Sequence, residues 1–101
     1  MASDRAILFP GQGAQRPGMG ASVFDVYPEL LANAEDIAGF SIRDFFLDCP
    51  PERFSDTRYV QPALYTVNAL HYRRYIEEGG VLPIFLAGHS LGEFNALQAA
   101  A

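Results

Sequence analysis

Gly88-His89-Ser90-Leu91-Gly92 limits what this chain can fold into more than any other stretch. It fits the pattern Gly-x-Ser-x-Gly, which marks a sharp turn from a strand into a helix. Small residues flank that turn because its backbone is tight, and the serine oxygen is lifted above the sheet. The sequence around it supplies the required context. Leu82 to Ala87, with Pro83 near its start, forms an apolar run read as a buried strand. Leu91 to Ala101 is alanine-rich with a helical pattern. With nine glycines and five serines among 101 residues, random order produces the pattern about 0.04 times per chain. The bland alternative is a glycine-rich turn with a capping serine.

A second apolar run, Ala6-Ile7-Leu8-Phe9, ends at Pro10 and reads as a strand buried on both faces, as in a parallel sheet. Pro10 to Gly20 is a loop with four glycines and two prolines. Between the two strands the spacing predicts helices. One runs from about Pro28 to Ala38, with an apolar stripe of Leu30, Leu31, Ala34, Ile37 and Ala38 and with Gly39 as its cap. A short one has Ser41 as N-cap and ends near Leu47 before Cys49-Pro50-Pro51. A longer one runs from about Pro62 to Glu78, after a turn at Asp56 to Tyr59, and Gly79-Gly80 stops it. Strand, helices, strand, helix is an α/β order with right-handed crossovers expected. Two strands are few for a sheet of this class, and the last helix reaches Ala101 without a cap. Both features lead us to expect that residues 1–101 are a portion of one larger domain.

Composition narrows the function classes. At ~150 residues per domain the chain holds at most one. A net charge of −5 argues against nucleic acid or an anionic membrane surface as partner. No apolar run approaches the ~20 residues of a membrane span, and Ala6 to Phe9 is too short for a signal-peptide core. One cysteine, Cys49, excludes an internal disulfide and a cysteine-built zinc site. A reducing cytoplasm fits, and no metal site is expected.

The glycine-rich loop fails both phosphate-binding patterns. Arg16 stands where a dinucleotide fingerprint needs its third glycine, and Met19 stands where a Walker loop needs lysine. Gly11-Gln12-Gly13 instead follows a strand directly, at the sheet edge where open α/β sheets bind ligands. A loop there could supply an oxyanion donor, but taken alone it reads better as a plain structural turn.

Four spaced motifs carry a resemblance that spans essentially the whole chain. They are Phe9-Pro10-Gly11-Gln12-Gly13-Ala14-Gln15, Gly18-Met19-Gly20, Val60-Gln61-Pro62-Ala63-Leu64 and Gly88-His89-Ser90-Leu91-Gly92-Glu93-Phe94. In these the chain resembles the N-terminal part of the malonyl-CoA:acyl-carrier-protein transacylases, the acyltransferases of fatty acid and polyketide synthesis. Within them it looks closest to the free-standing, trans-acting polyketide type. The resemblance implies an α/β-hydrolase-like acyltransferase domain with a nucleophile elbow. It implies Ser90 as the nucleophile that takes the acyl group from coenzyme A, and the backbone N–H groups of Gln12 and Leu91 as oxyanion hole. Gln61 and His89 would belong to the substrate pocket. The implied partner is an acyl carrier protein, with a coenzyme A thioester as substrate and no further cofactor.

A serine hydroxyl needs a base. His89 is adjacent to Ser90 and diverges from it, and His71 reads as an ordinary helical histidine. The family's base histidine and its carboxylate-binding arginine lie downstream, beyond Ala101, so residues 1–101 alone are not expected to turn over. Two other readings compete. One is a serine thioesterase or esterase of the α/β-hydrolase type. Against it, several strands normally precede the nucleophile in that fold, and its upstream loop tends to be of the His-Gly type. The other is a non-catalytic truncated remnant, for which a stop codon after Ala101 would speak.

Overall fold

The computed structural model describes residues 6–80, 85–88 and 95. In chain order these form strand β1 (Ala6–Phe9), helix α1 (Ala21–Phe24), helix α2 (Pro28–Ala38), helix α3 (Ile42–Asp48), helix α4 (Thr57–Glu77) and strand β2 (Phe85–Gly88). The two strands pair in parallel, with Ala6 opposite Phe85 and Phe9 opposite Gly88. A parallel pair needs a long crossover, and the four helices provide it.

Helix α4 is the spine. At 21 residues it is ~32 Å long. Its Val60, Ala63, Leu64, Val67 and Leu70 are buried at spacings of three and four. Against that stripe pack Val23 and Phe24 of α1, Leu31 of α2, and Ile42, Phe45 and Phe46 of α3. The centre is aromatic. Phe45 stacks on Phe54 with centroids 5.1 Å apart, Phe46 meets Phe45 edge-on at 5.1 Å, and Phe40 meets Tyr59 edge-on at 5.2 Å. Full burial of Phe45 and Phe46 contributes about 1.5–3 kcal/mol each, and the half-buried Phe40, Phe54 and Tyr59 contribute less. Phe9 ties the sheet to this core through Tyr72 of α4, at 5.7 Å.

Several sequence expectations hold. Pro28 opens α2, and Gly39, at φ 83°, closes it with its N–H on Glu35 O. Ser41 caps α3 by accepting from the Asp44 N–H at 3.1 Å. Independently of those expectations, Arg73–Glu77 and Arg74–Glu78 form i,i+4 pairs on the surface of α4 at 3.4 and 3.3 Å, worth a few tenths of a kcal/mol each.

Other expectations need correction. Residues 57–59 are not a turn but the first residues of α4, so the helix starts five residues before Pro62. The Asp56 carboxylate caps it, accepting from the Arg58 N–H at 3.0 Å. A proline inside a helix removes one backbone bond and costs about 3 kcal/mol. Fully buried Val60, Ala63 and Leu64 flank Pro62 and offset that cost. Helix α1, which follows the Pro10–Gly20 loop directly, was not expected. On α2 the apolar stripe is only partly covered, because Leu31 is buried while Leu30 and Ile37 are exposed. Strand β1 is not buried on both faces: Leu8 is 75% exposed while Phe9 is buried. The helices that follow β1 cover the Phe9 side. Strand β2 begins at Phe85. Leu82 to Ile84, where that strand was expected to start, and the helix expected from Leu91 lie outside the described residues, except that Asn95 is helical.

Candidate active site

The sheet register sets the geometry. Phe9 and Gly88 are partners at the ends of adjacent parallel strands, which lie ~4.8 Å apart. Both chains therefore leave the sheet side by side at its carboxyl edge. One continues as Pro10-Gly11-Gln12-Gly13 and the other, in sequence, as His89-Ser90-Leu91. His89, Ser90 and Leu91 themselves lie outside the described residues, as does the sharp turn expected there.

The first of these segments is well anchored. Ala14 donates its N–H to Gly11 O at 3.2 Å, and Gly13 donates to Gln15 Oε1 at 2.8 Å. Gln15 Nε2 donates to Phe54 O at 3.0 Å, which holds the loop against the segment before α4. Farther along, the Gly18 N–H donates to Phe46 O at 2.8 Å. Gln12 Oε1 accepts from the Thr57 hydroxyl at 3.1 Å, and Gln12 Nε2 makes a longer contact with Ser55 O at 3.5 Å. The side chain of Gln12 is thus engaged with the start of α4. Among the described residues the bonds within positions 10–15 use the N–H groups of Gly13 and Ala14, and not that of Gln12.

Gln61 lies one helical turn after Thr57 on α4. It is exposed and borders a depression between α2 and α4, with Ala34, Ile37, Pro62 and Tyr65. No hydrogen bond joins it to Gln12 among the described residues. His71 also lies on α4 and is exposed. Partial burial, and then the nearby Arg74 charge, push its imidazole below the usual histidine range. Cys49 ends α3 at φ 49°, and its thiol donates to Phe46 O at 3.1 Å. Among the described residues no three His, Cys, Asp or Glu side chains are grouped to hold a metal ion, and no helix is long and apolar enough to cross a membrane.

Sequence reasoning missed one feature, a buried amide pair. Asn68 and Asn95 are 5% and 1% exposed. Asn68 Nδ2 donates both to Pro10 O, at 3.0 Å, and to Asn95 Oδ1, at 3.1 Å. Asn95 Nδ2 donates to Tyr65 O at 3.0 Å. The signal for Asn68 was present in its position, next to Val67 within the buried stripe of α4. Nothing in the sequence pointed to its partner 27 residues away.

Residues 7–101 match the acyl transferase domain family. The chain belongs to that family. It is 50% identical over 93 residues to the polyketide biosynthesis malonyl CoA-acyl carrier protein transacylase PksC of Bacillus subtilis, covering 92% of this chain and 32% of that protein. Its fold is that of solved acyltransferases. A malonyl CoA-acyl carrier protein transacylase from Burkholderia pseudomallei superposes with a TM-score of 0.88 at 52% identity, over 94% of this chain and 33% of the other. A type II polyketide malonyl-transacylase, solved in complex with its acyl-carrier protein, gives 0.86 at 38% identity, over 97% of this chain and 33% of the other. The acyl transferase chain described here thus spans about a third of the length of the relatives it matches.

Proposed function

We propose that residues 1–101 form the nucleophile-bearing, N-terminal portion of a single acyltransferase domain that moves a malonyl group from coenzyme A to an acyl carrier protein. The observation that carries this is the parallel register of Phe9 with Gly88, which starts the Gln12 loop and the Ser90 motif from neighbouring strand ends. The similarity to transacylases named for malonyl-CoA and acyl carrier protein supports the substrate and the partner.

In this reading Ser90 Oγ attacks the thioester carbonyl and gives its proton to a base. The N–H groups of Gln12 and Leu91 stabilise the oxyanion, a contribution on the order of 10²–10³ in rate per donor. The C–S bond breaks, coenzyme A leaves as its thiol with the proton, and an acyl-serine ester remains. The phosphopantetheine thiol of the carrier then attacks that ester, and Ser90 recovers its proton. Dividing the transfer this way replaces one hard step with two easier ones. Gln61 and His89 belong to the substrate pocket. In this reading the base and the group that binds the malonyl carboxylate lie outside residues 1–101. The coenzyme A thioester is a substrate, and no further cofactor takes part. The reaction belongs to the cytoplasm.

Release of coenzyme A from malonyl-CoA by the protein as its gene encodes it tests this reading. Release should continue over many turnovers with holo carrier protein and stop after a single one without it. Sustained release to water without carrier would identify a thioesterase instead, and no release under either condition would leave a non-catalytic remnant.

A further inference from the structure

Asn68 spends one amide group on the two segments that the proposed mechanism needs held together. Pro10, which accepts from it at 3.0 Å, is two residues before Gln12. Asn95, which accepts at 3.1 Å, is five residues after Ser90 and four after Leu91. Asn95 returns a bond to Tyr65 O at 3.0 Å, three residues before Asn68 on α4. The network thus ties Pro10 and Asn95 to one helix, at a separation set by a planar amide. It lies in an otherwise apolar core. There, two amides are tolerated only because each is hydrogen-bonded, and an apolar pair of the same shape would serve stability as well.

We propose that Asn68 and Asn95 are positioning residues that fix the spacing of the two oxyanion donors, Gln12 and Leu91. This rests on the reading of Ser90 and those donors given above. Neither asparagine touches substrate. Their effect is on where the donors stand, and small misplacements of reacting groups cost on the order of 10²-fold in rate.

The test is single-turnover acylation of Ser90 by malonyl-CoA in the protein as its gene encodes it, followed by quenched intact mass, with kcat and KM measured alongside. The variants are Asn68→Ala, Asn95→Ala, the double alanine variant and the shape-preserving pair Asn68→Leu/Asn95→Leu. We expect a loss of roughly 10- to 100-fold in acylation rate with KM nearly unchanged. The double alanine variant should be no slower than the slower single, since both cut one network. The leucine pair should be as slow although it melts as high as wild type. Wild-type acylation rates in a folded alanine variant or in the leucine pair would overturn the proposal. So would failure of every variant to fold, which would make the pair a folding determinant only. Failure of the wild type itself to acylate would refute the proposed function instead.

Discussion

Replacing Gly20 with alanine separates two costs that are usually mixed. Gly20 sits at φ 86°, and an added Cβ would lie 2.6 Å from Phe24 Cζ and 2.9 Å from Val67 Cγ2. Both side chains are fully buried, so neither can swing away. Gly39 has nearly the same backbone, φ 83°, but open space where its Cβ would be. Gly39→Ala therefore reports the left-handed backbone cost alone, about 1–2 kcal/mol. Gly20→Ala adds overpacking of about 1–3 kcal/mol, for a total of about 2–5 kcal/mol. Urea unfolding midpoints at unchanged slope measure both. Equal destabilisation by the two substitutions would refute the packing argument and leave Gly20 a backbone requirement only.

Further outcomes follow from the core and the caps. Phe46→Ala removes a fully buried ring that packs on Phe24, Phe45 and Phe54. It should cost about 3–5 kcal/mol, and a loss under ~1 kcal/mol by denaturation would show that the cluster is not the core. The Arg58 side chain, and then its backbone N–H, hold the Asp56 carboxyl below the usual carboxylate range. A depressed folded pKa means stabilisation that is present above the unfolded pKa and lost as pH falls through the folded one. Asp56→Ala should thus lower the melting temperature near neutral pH, and the gap to wild type should close under strongly acidic conditions. A gap that stays constant with pH would count against the charged cap.

How far the sequence went follows from the range of the forces involved. Local chemistry was legible: Pro28, Gly39 and Ser41 act within one turn of where they stand, and they bound their helices as expected. The start of α4 was misjudged because Pro62 looked like a boundary, whereas the Asp56 cap and the burial of Val60 outweigh it. The exposure of Ile37 and Leu8 depends on which surfaces neighbouring elements cover, and periodicity alone does not carry that. At the site, the two glycine-containing motifs were visible as motifs. Their side-by-side exit comes from strand register, a pairing across 79 residues. The Asn68–Asn95 bond is likewise a long-range contact between two residues of ordinary type. Gly20 was noticed as part of a motif, and its packing against Phe24 and Val67 gives that motif a structural reason.

The most direct test of the account is an intact-mass spectrum of the protein from its native source, taken after brief exposure to malonyl-CoA without carrier protein. The account predicts a single malonyl adduct that maps to the peptide holding Ser90, is absent in Ser90→Ala, and is discharged by holo carrier protein. No adduct, or one that persists in Ser90→Ala, would contradict it.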